Sequence, residues 1–120
     1  MSTKILIVDD YTLFRRSARQ MLEAGGFIVV GEAADGASAL AAVRELRPEV
    51  VLLDVQLPDF DGFEVARRLA LQPDAPLVIL TSVRDASDYR GRLPEAPAQG
   101  FIAKTDLSQA SITALLESGP

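Results

Sequence analysis

Asp9, Asp10, Asp54, Thr81, Ser82 and Lys104 are the residues of this chain whose types and settings could carry chemistry. Each stands at the end of a short apolar run: "KILIVDD", "VVLLD", "PLVILTS" and "GFIAK". An Asp inside such a run would be desolvated, whereas at its carboxyl end the side chain can emerge beside water, metal or partner charges. If the runs are neighbouring strands, three carboxylates, a hydroxyl and an ammonium share one rim. Like charges about 4 Å apart repel by roughly 4 kcal/mol at an effective dielectric of about 20, so these carboxylates need protons or cations between them. A hard divalent ion meets that need, and all-oxygen ligation suits Mg²⁺, or Mn²⁺ in its place. A cation beside Asp54 would neutralise an incoming phosphoryl group while Lys104 and Thr81 hold its other oxygens, which makes Asp54 a nucleophile. Taken singly, each residue has a plainer reading: Asp54 as a loop starter, Asp9 and Asp10 as an acidic helix start, Thr81 as a cap, Lys104 as a solvated charge. Their joint occurrence at matching strand ends favours a site.

The elements that must position them can be read from periodicity. Strand-like runs at Ile5 to Val8, Ile28 to Val30, Val50 to Leu53, Leu77 to Leu80 and Phe101 to Ala103 alternate with segments of helical spacing, β-α five times over. The first helix places Phe14, Ala18, Met21 and Leu22 inward and Arg15, Arg16 and Arg19 in solvent, and Gly25-Gly26 stops it. In the second, Asp35 is the expected N-cap and Leu40, Val43 and Leu46 the core stripe before Pro48. A third runs from about Gly62 to Leu71 with Phe63, Ala66 and Leu69 inward. The last starts near Thr105 or Asp106 and carries Leu107, Ile112, Leu115 and Leu116. Between Arg84 and Gln99, Gly91, Pro94 and Pro97 leave a fourth helix short or irregular. This alternation predicts an α/β fold: a doubly wound, five-stranded parallel sheet of flavodoxin-like order 2-1-3-4-5, with helices on both faces. Ligands of such sheets gather at the carboxyl ends of the strands, near the switch point between the first and third.

Composition narrows the chemistry. The 120 residues fit one domain, taken as residues 1–120. With no Cys and no His, disulfides, thiol nucleophiles, Ser/His couples and His-based metal sites are excluded. A formal charge of −5 with scattered Arg argues against direct DNA or anionic-membrane binding. No charged leader opens the chain and no apolar run approaches the roughly 20 residues of a bilayer span, so a cytoplasmic location is expected.

In order and spacing, "VDD", "LLDVQLPDFDGFEVARRL", "VILTS" and "GFIAK" resemble the receiver domain of bacterial two-component response regulators, over essentially the whole chain. The likeness is nearest to receivers that precede helix-turn-helix output domains. It implies that Asp9 and Asp10 organise Mg²⁺, that Asp54 is the phosphoacceptor, and that Gln56 lends a backbone carbonyl to the metal. It further implies that Thr81 and Lys104 are the switch hydroxyl and phosphate-binding lysine, and that Phe101 is the aromatic that changes rotamer. The implied protein is a signalling phosphoacceptor rather than an enzyme. It would take its phosphoryl group from a histidine kinase, a phosphotransfer protein or a small phosphodonor. It would act on an unknown downstream protein through the face of the fourth helix, fifth strand and last helix, as a monomer or weak dimer.

Two positions depart from the family pattern. Thr105 follows Lys104 where a cis-proline is common, so that turn is expected to differ. Phe101 replaces a common tyrosine and so cannot use a hydroxyl. Gly119 and Pro120 read as stop signals with no linker beyond, which favours a stand-alone receiver. Among rivals, a phosphatase of haloacid-dehalogenase type would want an Asp where Gln56 stands. A flavin carrier on the same sheet would find Asp9 and Asp10 repelling its phosphate. A receiver-like module that binds without phosphorylation would lack an acidic, acceptor or lysine position, and none is missing.

Overall fold

The computed structural model describes residues 2–118; the expected stop at Gly119 and Pro120 lies outside them. Five parallel strands, β1 (Lys4–Val8), β2 (Ile28–Ala33), β3 (Val50–Asp54), β4 (Leu77–Ser82) and β5 (Gly100–Ala103), form one sheet in the order β2-β1-β3-β4-β5. Every residue of β3 is buried, as a central strand covered on both faces requires. Alternate side chains feed two cores. Leu6, Val8, Val51, Leu53, Val78 and Leu80 pack on one face beneath helices α2 (Gly36–Leu46) and α3 (Gly62–Ala70). Ile5, Ile7, Val50, Leu52, Ile79 and Ile102 pack on the other beneath α1 (Thr12–Ala24) and α4 (Gln109–Glu117).

The helix ends follow their local chemistry. Gly25 ends α1 and Gly26 takes φ of 90°, a conformation glycine adopts without steric cost. Asp35 caps α2 by accepting from the Ser38 N–H at 2.7 Å, and Asp61 caps α3 by accepting from the Glu64 N–H at 2.9 Å. Gly62 is required by proximity: a Cβ there would lie 2.4 Å from the Asp54 carbonyl oxygen. The loop after β3 therefore closes directly beneath the strand end.

Four expectations need correction or refinement. Leu46 is 39% exposed rather than core, because it leans over Gly31 of the edge strand β2 while Ala39 and Val43 point inward. Arg15 and Arg19 are half-buried rather than solvated, since their flank of α1 meets Glu32 of β2. The last helix begins at Gln109, not near Thr105: Lys104–Asp106 form a 3₁₀ turn, Leu107 is extended, and Ser108 caps by accepting from the Ser111 N–H at 3.0 Å. The expected irregular fourth helix is two 3₁₀ turns, Ala86–Tyr89 and Leu93–Glu95, with Pro94 inside the second. Among the described residues no peptide bond is cis, so Lys104–Thr105 is trans. None of the described helices is long and apolar enough to cross a membrane.

Candidate functional site

Strand register brings the polar ends together. Val8 pairs with Leu53, so Asp9 follows β1 level with Asp54 at the end of β3. Asp54 in turn pairs with Thr81, and Ser82 with Ala103, after which the chain reaches Lys104. Asp9, Asp54, Thr81 and Ser82 are buried, and Asp10 is exposed at the mouth.

Asp9, Asp10 and Asp54 each offer one carboxylate oxygen, and these lie within 4.8 Å of one another. Lys104 Nζ stands 2.6 Å from Asp9 Oδ2 and 3.7 Å from Asp54 Oδ2, and 4.2 Å from the centre of the Phe14 ring. The Tyr11 N–H donates to Asp9 Oδ1 at 2.9 Å, and the Gln56 N–H to Asp54 Oδ1 at 3.2 Å. Asp9 Oδ2 is wholly buried and accepts no well-angled hydrogen bond, leaving the Lys104 charge as its counterpart.

Burial, and then the Asp9 charge, push the Asp54 carboxyl up to about 6; Lys104 acts in the opposite sense. Asp54 is nonetheless mostly ionised near neutral pH. One ammonium cannot balance three carboxylates, and an all-oxygen donor set with a buried, under-bonded oxygen fits a hard divalent cation.

Of the other predicted residues, Thr81 lies beside Asp54 but its hydroxyl donates to the Ile102 carbonyl at 2.7 Å, on the neighbouring strand. Gln56 is exposed, with its N–H on Asp54. Phe101 is half-buried, its ring 5.7 Å from Tyr89, away from the carboxylates.

Sequence reasoning missed several participants. Tyr89, in the segment set aside as irregular, lies 5.6 Å from the Phe63 ring and its hydroxyl is 2.8 Å from Ser82 Oγ. Asp59 accepts from the Gly36 and Ala37 N–H groups at 2.7 and 3.0 Å, tying the loop after β3 to the start of α2. The Ala37 and Gly36 N–H groups hold that carboxyl below its usual range. Arg92 reaches Asp61 at 2.9 Å and covers the Phe63 ring, fastening the 3₁₀ segment to α3. The Pro58-Asp59 turn was an available signal for Asp59, whereas nothing local marked Tyr89. A groove of about 450 Å³ lined by Arg44, Arg47 and Pro73 lies at the amino ends of β3 and β4 and includes none of the predicted site residues.

Comparison with known proteins gives the family and the fold. Residues 5–117 match the response regulator receiver domain. Over 103 residues the chain is 41% identical to the response regulator GacA of Pseudomonas aeruginosa, across 84% of this chain and 48% of that one. Among solved structures it is similar to the signal receiver domain of a NarL response regulator from Mycobacterium tuberculosis, with a TM-score of 0.83 and 33% identity over 97% of this chain and 94% of the other. A LuxR-family two-component response regulator from Aurantimonas sp. SI85-9A1 gives a TM-score of 0.86 and 28% identity, over 98% and 84% respectively. The chain spans about half the length of the curated relatives it matches.

Proposed function

The chain belongs to the response regulator receiver family of bacterial two-component systems, and on that premise we propose that it is a signalling switch driven by phosphorylation of Asp54. The observation that carries the proposal is a buried carboxylate at the end of the central strand, with the Asp9, Asp10 and Lys104 side chains gathered around it. An Asp54 oxygen forms a bond to phosphorus as the bond from phosphorus to the donor atom breaks. The donor is a phosphohistidine of a kinase or phosphotransfer protein, or a small acyl phosphate. Asp54 needs no base, because near neutral pH its proton is already gone. Asp9, Asp10, Asp54 and the Gln56 carbonyl would hold Mg²⁺ or Mn²⁺, which supplies positive charge for the phosphoryl oxygens. Lys104, with its ammonium 2.6 Å from Asp9 and 3.7 Å from Asp54, would turn toward a phosphoryl oxygen. The chain thus assists its own phosphorylation and slow autodephosphorylation, without being a turnover enzyme for an outside substrate.

The signal leaves through Thr81. Turning its hydroxyl from the Ile102 carbonyl to a phosphoryl oxygen frees space beside β4 and β5 for Phe101 to move inward, which alters the face formed by residues 84–99, β5 and α4. We assign output to docking of this face on a partner protein in the cytoplasm, with no DNA contact by this domain. A dehalogenase-type phosphatase is disfavoured by Gln56, whose amide cannot serve as the acid and base that the second carboxylate would provide. Incubation with acetyl phosphate and Mg²⁺ followed by intact-mass measurement should show one added phosphoryl group, absent from Asp54→Asn. Equal labelling of that variant would move the acceptor elsewhere.

A further inference from the structure

On α1, Arg15 and Arg19 lie four residues apart on one flank, which faces β2, while Arg16 points to solvent. Glu32 of β2 receives both: Arg15 Nε donates to its Oε1 at 2.9 Å and Arg19 Nε to its Oε2 at 2.8 Å. Held in this way, Arg15 directs a further donor, Nη1, to the backbone carbonyl of Asp9 at 2.6 Å. We infer that Arg15 is a positioning residue for the acidic pair: by fixing the peptide between Asp9 and Asp10 it sets the divalent-cation affinity of the site. This rests on the reading of Asp9, Asp10 and Asp54 as the cation site.

The geometry explains why that peptide needs a brace. Asp9 is anchored on its amino side, where its N–H donates to the Ala33 carbonyl at 3.0 Å, and through its side chain, where Oδ1 accepts from Tyr11. Asp10 is exposed, so packing does not orient its carboxylate. The direction in which Asp10 leaves the strand is set by the plane of the Asp9–Asp10 peptide, whose carbonyl Arg15 grips. The guanidinium meets a backbone oxygen and does not itself occupy the Asp9 or Asp10 carboxylate, while its charge offsets part of their repulsion. The planar fork serves two acceptors on different elements at once, which a lysine ammonium at the same position cannot reproduce.

A mere staple between α1 and β2 would change melting temperature and leave the cation affinity of the folded protein alone. Calorimetric titration of the full chain with MgCl₂, below the melting temperature of each variant, separates the two. We expect Arg15→Gln and Arg15→Lys each to weaken Mg²⁺ binding by about tenfold. Arg16→Gln, which removes the same charge from an exposed position, should change it by less than about twofold. In the metal-free protein, exchange of the Asp9 and Tyr11 amides, which donate to Ala33 and to Asp9 Oδ1, should quicken in the Arg15 variants and not in Arg16→Gln. Should Arg15→Gln fail to fold, Glu32→Gln loosens the brace without removing it and should weaken binding by roughly threefold. A parent that takes up no Mg²⁺ overturns the cation reading itself. A parent that binds, with Arg15 variants at the parent's Kd or with Arg16→Gln equally weakened, overturns only the positioning role.

Discussion

Replacing the Asp54 carboxylate should make the metal-free protein more stable. In the folded chain the Asp54 carboxyl is raised from an ordinary 3.8 to about 6, first by burial and then by the charge on Asp9. A displacement of that size corresponds to at most ~3 kcal/mol. The sign follows from linkage: the folded state holds the Asp54 proton more tightly than the unfolded chain does. Its contribution is fully present below about pH 4 and is lost as pH rises through about 6. At neutral pH the folded protein therefore carries a charge that its surroundings disfavour. Asp54→Asn removes the charge, keeps the shape, and keeps an acceptor for the Gln56 N–H. Lys104 retains Asp9, its nearer partner. We expect Asp54→Asn to gain roughly 1–3 kcal/mol near pH 7 in chelator, which for a domain of this length is about 4–12 °C in Tm. Urea and thermal unfolding with EDTA, run across the range from about pH 4 to about pH 7, measure it. The difference between parent and variant should close as pH falls through the window. A variant equal to or less stable than its parent at neutral pH, or a gain that does not vary with pH, would refute the electrostatic reasoning.

Saturating Mg²⁺ should raise the parent's melting temperature, by linkage worth about 2.7 kcal/mol at a hundredfold excess over Kd. Asp10→Asn should shrink that rise in a calorimetric scan, and an unchanged response would place the ion elsewhere. Tyr89→Phe removes the hydroxyl beside Ser82 Oγ and should cost about 1 kcal/mol in urea unfolding. The same change should quicken amide exchange in residues 84–99, and slow exchange there would show that the hydroxyl does not hold the segment. Beryllofluoride, as a phosphoryl mimic, should protect amides between Arg84 and Phe101 as well as those around Asp10 and Asp54. Protection confined to the latter would mean that this protein does not couple its site to that face.

The sheet order and the meeting of Asp9, Asp54 and Lys104 were legible because a parallel sheet with right-handed crossovers leaves little freedom: the carboxyl ends of all its strands lie on one side. What escaped depended on side-chain reach across elements. Helical period shows that Arg15 avoids the core, but not that its flank faces Glu32, a residue seventeen positions away on β2. Thr105, Asp106 and Ser108 are all suitable helix caps; the choice fell to Ser108 as Leu107 turns in to pack against the core on that face of the sheet, which local propensity cannot reveal. Leu46 has the right spacing for a core residue, yet β2 is an edge strand with too little sheet beyond it to cover the side chain. Tyr89 lies in a stretch whose glycine and prolines signal irregular backbone, and they conceal an aromatic packed between Phe63 and Phe101.

The hydrogen bond from Thr81 to the Ile102 carbonyl bears on how quiet this domain is before any signal arrives. A hydroxyl that swings toward Asp54 must abandon a buried acceptor, at a cost of about 1–3 kcal/mol. An acyl phosphate offers charged oxygens, and a hydrogen bond to a charged acceptor is worth about 1.5–3 kcal/mol. The two figures are close. Phosphorylation should therefore tilt the balance without locking it. Such a domain responds in graded fashion, and a partner that favours the altered face could shift the balance as far as the phosphoryl group does.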